Sequence, residues 1–312
     1  MEQRQAGRSG LALSVLGLST RSWGREMDGD AATAALAAFR DAGGTFVDTT
    51  AAAPADGHRD TVGRGESLLG ALLTGDRDAM VIGAGPLPVA GSGSSRTAVL
   101  RGLTDSLRRL RCDHIDLWQV PSTLSGAPPL AGAGQTLPAV PFEETLSAMD
   151  AAVASGKVRY VGLGEPVPWR LARAATWQQA WPGRAPVVTN HVGYSLLDRR
   201  AEPHLVEAAT ELGIGLICSS FDAGPGGDAE SNGRTARLIE AVATAADGLA
   251  TTALAMSLSW LRERPAVTSM VVDARTPAHF GAALTSLELS VPDPIRRVLD
   301  EVSEPSRHAG WS

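Results

Sequence analysis

Residue types that often carry enzyme chemistry are scarce in this chain. Its 312 residues include one lysine, Lys157, two tyrosines, Tyr160 and Tyr194, and two cysteines, Cys112 and Cys218. The cysteines lie far apart and neither belongs to a metal-type spacing, which argues against a structural zinc site and favours a reduced protein. Any reaction that needs a lysine or a tyrosine must therefore use one of three positions.

Long hydrophobic runs and a strong net charge are also missing. No apolar run approaches the roughly 18 residues of a membrane span, and residues 1–10 lack the apolar core of a signal peptide. The charged residues are 28 basic and 34 acidic, a formal net charge of −6, so neither nucleic acid nor an anionic membrane is an expected partner. We expect a cytoplasmic protein that acts on a small molecule and binds no metal. The composition leaves the oligomeric state open.

Short β-rich runs alternate with longer stretches of helical period. Eight such alternations within 44% hydrophobic residues predict one α/β domain over residues 1–312, a (β/α)8 TIM barrel. The predicted strands are Ser14–Ser19, Thr45–Thr49, Met80–Gly85, His114–Val120, Tyr160–Glu165, Val187–Val192, Gly215–Phe221 and Ser269–Ala274. The predicted helices include Asp30–Ala42, Arg96–Leu110, Phe142–Ser155, Val167–Trp177, Glu202–Leu212 and Leu249–Arg264.

Two long segments rich in glycine and proline or polar residues follow predicted strands. They cover about residues 121–141 and 222–233. Loops that follow barrel strands lie on the C-terminal face, where barrel active sites are built, and long ordered loops are usually functional. We expect both loops on the active-site face and the first to act as a lid.

Several motifs occur in an order and spacing that resemble the aldo-keto reductase superfamily. They are RSGLALSVLGLSTRSWG at 8–24, FVDTT at 46–50, IDLWQV, GKVRYVGLGE, VVTNHVGYSLLDR, GIGLICSSF and, near the end, TSMVVDARTPAHFGAAL. Each motif alone is weak, but their ordered combination is specific and covers nearly the whole chain. The resemblance implies the same barrel fold as the strand pattern.

The resemblance also implies a reaction with NADPH and four catalytic residues: an aspartate, a proton-donating tyrosine, a lysine that lowers the tyrosine pKa, and a histidine. Asp48 stands at the aspartate position. The tyrosine, lysine and histidine positions correspond to Ala53, Gly85 and Pro121. Three of the four implied positions therefore lack usable chemistry, and Lys157 precedes a strand at the opposite end of the barrel.

The cofactor positions that the resemblance implies are altered unevenly. At the nicotinamide end, the positions of the implied polar and aromatic residues hold Gly164, Glu165, His191 and Ser219. In the phosphate loop, Asp273 stands in place of an implied glycine. At the adenine end, His279 and Ala283 replace two implied contact residues. At the phosphate end, three residues match positions that the resemblance implies in contacts with the pyrophosphate and the 2′-phosphate: Ser220, Arg275 and Thr276. We therefore expect no cofactor, with NADPH as the alternative if these three residues still bind phosphate.

The remaining polar residues at the predicted strand ends define a candidate site. Asp48, Glu165 and His191 are the candidate catalytic residues, because carboxylates and an imidazole in a partly buried mouth form an acid–base set. The candidate substrate-binding residues are Arg21, Trp23, Trp118, Tyr194 and Asp222. Each has a structural alternative: Asp48 could accept backbone hydrogen bonds, His191 could be a core histidine, and Arg21 could pair with Asp48.

Three functions fit these residues. The first is a repurposed enzyme that performs non-redox acid–base chemistry, such as cyclisation, dehydration or isomerisation, on a small apolar metabolite of specialised biosynthesis. The second is an NADPH-dependent carbonyl reductase with a displaced proton donor, such as His191 or Glu165. The third is a non-catalytic protein that binds a nucleotide or metabolite. We rank the first highest, because hydride transfer needs accurate placement of the nicotinamide.

Overall fold

The computed structural model of this chain describes residues 1–50, 63–87, 95–121, 140–164, 167–219 and 229–304. An antiparallel hairpin of β1 (Gln3–Gln5) and β2 (Ala12–Ser14) precedes eight parallel strands that close into a barrel. The barrel strands are β3 Leu16–Ser19, β4 Phe46–Asp48, β5 Val81–Ala84, β6 Ile115–Pro121, β7 Val158–Gly164, β8 Val187–Gly193, β9 Gly215–Ser219 and β10 Val267–Val272. They pair in chain order, and β10 pairs with β3 to close the circle. The predicted (β/α)8 barrel is confirmed.

Helices connect the strands and surround the barrel. They are α1 Gly29–Asp41, α2 Arg64–Leu72, α3 Arg96–Leu110, α4 Phe142–Ala154, α5 Pro168–Gln179, α6 Glu207–Leu212, α7 Ala229–Gly248, α8 Ala253–Arg262, α9 Pro277–Glu288 and α10 Asp293–Val302. A 3-10 turn at Arg77–Ala79 precedes β5, and a π-helical turn at Glu202–Val206 leads into α6. Two helices are followed by glycines with positive φ, as is common at helix C-termini: Gly156 after α4 has φ of 74° and Gly213 after α6 has φ of 67°.

The two expected long loops lie largely outside the described residues, and the second is shorter than predicted. Residues 122–139 and 220–228 are not among the described residues, so the predicted lid and most of the second loop stay predictions. The second loop was expected to continue to residue 233, but α7 begins at Ala229. The helix starts with the sequence AESNG, in which Ala and Glu favour helix formation. The predicted end of the loop was wrong because it relied on the polar residues and the glycine alone.

The hydrophobic core has two layers. The outer layer lies between the strands and the helices and includes Leu18, Val47, Val161 and Leu216. The inner layer fills the barrel, and its members come from the hairpin and from five strands: Ala6, Leu11, Leu13, Phe46, Leu117, Val188, Ile217 and Val271. Because the hairpin leads directly into β3, it covers the N-terminal end of the barrel. The hairpin does not cover the opposite, C-terminal end.

In the part of the chain that the structure describes, no single helix is long and apolar enough to cross a membrane. One pair of helices, 235–248 with Ala253–Arg262, passes a test of length and composition when taken together. It is bent by 95° at the break between the two helices.

Phe46 is the largest side chain inside the barrel, and two glycines make room for it. A Cβ atom on Gly17 would lie 2.8 Å from the Phe46 ring, and one on Gly83 would lie 2.9 Å from it. Phe46 is fully buried. The ring therefore fills space that the two neighbouring strands leave free, and its removal opens a cavity at the centre of the inner layer.

We expect Phe46→Ala to lower the free energy of unfolding by about 3–5 kcal/mol, since it removes a fully buried ring and leaves a cavity. Phe46→Leu should cost less, because it keeps most of the buried volume. Urea denaturation followed by circular dichroism measures both. A loss below about 1 kcal/mol for the alanine variant would show that the barrel interior collapses around the missing ring.

Candidate functional site

Three side chains meet inside the C-terminal opening of the barrel: Asp48, Thr50 and His191, called here the mouth cluster. The Thr50 hydroxyl lies 2.5 Å from both carboxylate oxygens of Asp48. The Nδ1 atom of His191 lies 3.3 Å from the Thr50 hydroxyl and 3.8 Å from Asp48 Oδ2. Asp48 ends β4 and His191 is on β8, four strands away around an eight-stranded circle. The contact therefore crosses the barrel opening.

Gln119 on β6 completes the surroundings of the Asp48 carboxylate. Its Nε2 atom donates a hydrogen bond of 3.2 Å to Asp48 Oδ1. Both residues are about 1% exposed. Burial raises the pKa of Asp48 above its ordinary value, while the charge of His191 and the hydrogen bonds from Thr50 and Gln119 partly oppose that rise. Asp48 is thus a carboxyl group that can hold a proton at higher pH than a surface aspartate.

The predicted meeting of Asp48 and His191 is what the structure shows, and their catalytic role stays a prediction. Sequence reasoning missed Thr50 and Gln119. Thr50 follows Asp48 by two residues, so the period of an extended chain puts both on one face. Gln119 was visible as the one polar uncharged residue in IDLWQV. A search for polar residues on the inner face of each strand would have found both.

The positions that the resemblance assigns to the lysine and the histidine lie beside the mouth cluster. Pro121 ends β6 and pairs with Gly164 of β7. A Cβ atom on Gly85 would lie 2.3 Å from the backbone oxygen of Gln119 and 3.0 Å from Thr50 Cγ2. The backbone of β6 therefore occupies the space in which a side chain at position 85 would begin. Position 53, assigned to the tyrosine, lies outside the described residues.

Neither tyrosine of the chain reaches the mouth cluster. Tyr160 lies near the opposite end of the barrel, where its hydroxyl approaches Gly10 of the hairpin. Tyr194 is about 1% exposed, donates a hydrogen bond of 2.7 Å to Glu202 and packs edge-on against Trp260. Burial and Glu202 raise the pKa of Tyr194. The prediction that Tyr194 binds substrate is therefore wrong, because both its ring and its hydroxyl are used inside the core.

Two more predictions of substrate contacts are wrong, and a third, for Arg21, stays a prediction. Trp23 and Trp118 were expected to form apolar walls of the barrel opening. Both side chains are at most 1% exposed and pack in the outer core layer. Trp118 alternates with the inward-facing Gln119, so it points away from the barrel axis. Arg21 lies in the turn after β3 with an exposed side chain, and the described partners of Asp48 do not include it. The structural alternative, an Arg21–Asp48 pair, is therefore not among the described contacts of Asp48, and substrate binding by Arg21 stays a prediction.

Three predicted site residues are not among the described residues. Glu165, Ser220 and Asp222 lie outside the described ranges, and their roles stay predictions. Across the ranges that are described, no group of three or more histidine, cysteine, aspartate or glutamate residues is arranged to hold a metal ion.

Arg275 and Thr276 lie where β10 leads into α9, at the same end of the barrel as the mouth cluster. Thr276 is the N-cap of α9, and its hydroxyl accepts a hydrogen bond of 3.1 Å from the backbone N–H of His279. The Arg275 side chain is 45% exposed. A guanidinium beside the N-terminus of a twelve-residue helix is a donor set that suits a phosphate group. The residues at this end therefore fit the phosphates of a nucleotide.

Small residues lie on both strands next to His191: Gly164 of β7, which pairs with it, and Ser219 at the end of β9. A Cβ atom on Gly164 would lie 3.5 Å from Pro121, an ordinary contact. Ser219 ends β9, next to Gly193 of β8, and is partly exposed. An imidazole and a hydroxyl on neighbouring strand ends, with glycine opposite, suit the flat and polar nicotinamide ring.

Gly85 and Gly164 form a matched pair for a test of the closed lysine position. We expect Gly85→Ala to lower the free energy of unfolding by about 1–3 kcal/mol, since its Cβ meets β6 backbone that must shift. Gly164→Ala should cost much less, because its Cβ meets no atom closer than 3.5 Å. Urea denaturation of the two variants measures the difference. Equal losses would contradict the closed geometry of position 85.

We expect Asp48→Asn to stabilise the fold near neutral pH. Because the folded pKa of Asp48 is raised, its contribution to stability is fully present below the unfolded pKa and is lost as pH rises through the folded pKa. The variant should therefore unfold at higher urea than the parent at neutral pH, and the two should converge below about pH 3.8. A difference that does not depend on pH would mean that the titration of Asp48 is not its cause.

Comparisons with known proteins agree on one family. The model of the aldo/keto reductase family matches residues 15–303. The chain is 29% identical over 331 residues to the uncharacterized oxidoreductase YrpG of Bacillus subtilis, covering 97% of this chain and 96% of that protein. It is 29% identical over 229 residues to the L-glyceraldehyde 3-phosphate reductase of Escherichia coli, covering 70% and 60%. It is 30% identical over 201 residues to human aflatoxin B1 aldehyde reductase member 2, covering 64% and 50%.

These matches correct two expectations drawn from the sequence. The prediction of no cofactor is wrong, since the family implies NADPH and the matched relatives are named as an oxidoreductase and as reductases. The non-redox interpretation, ranked first, is supported less well than the carbonyl reductase that was its alternative. The chain belongs to the aldo/keto reductase family.

Proposed function

We propose that this chain is an NADPH-dependent carbonyl reductase in which His191 donates the proton. The observation that carries the proposal is the chain of hydrogen-bonding contacts from Asp48 through Thr50 to His191 Nδ1 in the barrel opening. In the aldo/keto reductase family a carbonyl compound is the expected substrate. Two of the relatives are named as reductases of aldehydes, which supports a small aldehyde or ketone.

The hydrogen-bonding capacity of the three groups fixes the direction of the contacts. The Thr50 hydroxyl carries one proton, and it lies closer to the Asp48 oxygens than to His191. If Thr50 donates to Asp48, its oxygen accepts from the Nδ1–H of His191. The imidazole then presents Nε2, on the other edge of the ring, as the atom that holds or releases a proton. Asp48 and Thr50 orient the ring rather than touch the substrate.

The chain's own groups divide the remaining tasks. Arg275 and the N-terminus of α9 at Thr276 would hold the cofactor phosphates, and His191 and Ser219 would border the nicotinamide. When bound, the reduced nicotinamide supplies a hydride to the carbonyl carbon. His191 gives the proton on Nε2 to the carbonyl oxygen, which yields the alcohol and a neutral imidazole. Solvent returns the proton to Nε2.

An imidazole donor accounts for the loss of the implied lysine together with the implied tyrosine. A phenol with a pKa near 10 releases its proton poorly at neutral pH unless a cation lies beside it. An imidazole with an ordinary pKa near 6.5 needs no such neighbour. A lysine beside His191 would instead repel its protonated form. The closed position at Gly85 is consistent with a site that has no use for that cation.

We propose the rest of the molecular setting from the sequence and the family together. Residues 1–312 form one barrel domain with the active site at its C-terminal opening. The partner is a small molecule, with no role for nucleic acid or a membrane, and we place the protein in the cytoplasm. Glu165 and Asp222 follow β7 and β9 in sequence and stay candidate catalytic and substrate-binding residues.

We expect His191→Ala to lower kcat/KM about 10²–10⁴-fold with NADPH and a panel of small aldehydes and ketones, because it removes the proton donor. Tyr160→Phe and Tyr194→Phe are the matched controls. Both should leave turnover unchanged, since one tyrosine lies near the hairpin and the other is bonded to Glu202. Steady-state rates of NADPH oxidation measure all three variants.

The pH profile separates the donor from a merely structural histidine. The parent should lose activity with rising pH, and His191→Gln should lack this loss, because glutamine has no proton to release to the carbonyl oxygen. A parent that binds NADPH but reduces no carbonyl compound would show that the reductase proposal is wrong. Loss of turnover in a tyrosine variant would assign the donor to that tyrosine.

A further inference from the structure

Arg275 is held between two carboxylates. Its Nη1 atom lies 3.1 Å from Glu26 Oε2, and its Nε atom lies 3.1 Å from Asp273 Oδ2. Glu26 belongs to the turn between β3 and α1, whereas Asp273 directly follows β10. The three residues, called here the Arg275 clasp, join two loops of the C-terminal face. The best cation of the described phosphate end is therefore already paired.

Backbone hydrogen bonds hold the two carboxylates in place. The carbonyl oxygen of Ser22 accepts bonds from the N–H groups of Arg25, Glu26 and Met27. Asp273 Oδ1 accepts from the Ser22 hydroxyl at 2.7 Å and from the Ser22 N–H at 3.3 Å. The turn that carries Glu26 is thus attached to Asp273 through Ser22. Glu26 stands opposite Arg275 because of this attachment.

We propose that Glu26 competes with the 2′-phosphate of NADPH for Arg275 and so determines how strongly the site prefers NADPH over NADH. The proposal rests on the proposed function, because it takes a pyridine nucleotide as the cofactor. The clasp has one guanidinium and two carboxylates, a net charge of −1. NADPH brings a further dianionic phosphate, and NADH does not. The phosphate must displace Glu26 from Arg275 and then remain near it.

The two carboxylates have different roles. The side chain of Asp273 is 14% exposed and is bonded to Ser22, so it keeps its place when Arg275 turns to a ligand. Glu26 is 48% exposed, and among the described residues its side chain pairs with Arg275. An exposed ion pair of this kind contributes little to stability. A substitution of Glu26 should therefore leave the fold intact. It should change the affinity of Arg275 for a bound phosphate.

Direct titration of NADPH and of NADH into the purified protein, by calorimetry, tests the proposal without any turnover. The variants are Glu26→Gln, Arg275→Gln and the double variant, and Asp30→Asn is the control for loss of one nearby surface carboxylate. We expect Glu26→Gln to lower the Kd of NADPH about fivefold and to leave the Kd of NADH unchanged. This is the size of effect that screened repulsion between two nearby charges produces. Arg275→Gln should weaken NADPH selectively. In the double variant the gain from Glu26→Gln should disappear.

Each other outcome overturns the proposal in a distinguishable way. If Glu26→Gln changes NADPH and NADH equally, Arg275 faces a phosphate that both cofactors share. If Asp30→Asn has the same effect as Glu26→Gln, the cause is the general charge of the surface. An unchanged ratio in Glu26→Gln also overturns the proposal, while normal NADPH binding keeps the proposed function intact. Failure of both cofactors to bind at millimolar concentration removes the proposal and the proposed function together.

Discussion

The buried carboxylate of Asp48 is the constraint around which the barrel opening is arranged. A carboxylate that is about 1% exposed must have hydrogen-bond donors close by, since isolated charge is costly away from water. Here the donors are Thr50 after β4 and Gln119 on β6, and the imidazole of His191 on β8 lies 3.8 Å from Asp48 Oδ2. Closure of the sheet brings these strands together across the opening. The same contacts that satisfy Asp48 also fix the orientation of the imidazole.

The overall architecture could be predicted because it depends on patterns that local sequence carries. Each of the eight predicted strands lies within a few residues of a described strand, and the helix Arg96–Leu110 has the predicted ends. The boundary of α7 could not be predicted, because glycine and polar residues near its start suggested a loop. The motif at 8–24 resembles the opening hairpin and first strand of the family, but it starts at residue 8 and so gave no sign of β1, which begins at Gln3.

The candidate site was predictable in part, for a physical reason that particular residues show. Asp48 and His191 each lie at the end of a strand, and the order of strands in a closed barrel places them near each other. Trp118 lies within β6 and Trp23 in the turn that follows β3, and both pack into the outer core. Sequence position near a strand end does not decide which face a side chain takes, because one residue of register reverses it. The prediction for Tyr194 was wrong for a related reason, since this residue directly follows β8 and its ring packs into the core against Trp260.

The contact between Gly85 and the backbone of Gln119 restricts the evolution of this barrel. A lysine at position 85 requires β6 to move, and β6 carries Gln119, which supports Asp48. A single mutation at position 85 would therefore disturb the carboxylate that the new lysine was meant to serve. Descendants of this sequence could regain a tyrosine and lysine pair only after earlier changes in β6. The loss of the tyrosine and lysine pair is for this reason hard to reverse by single mutations. Related chains with glycine at position 85 should use a proton donor other than tyrosine.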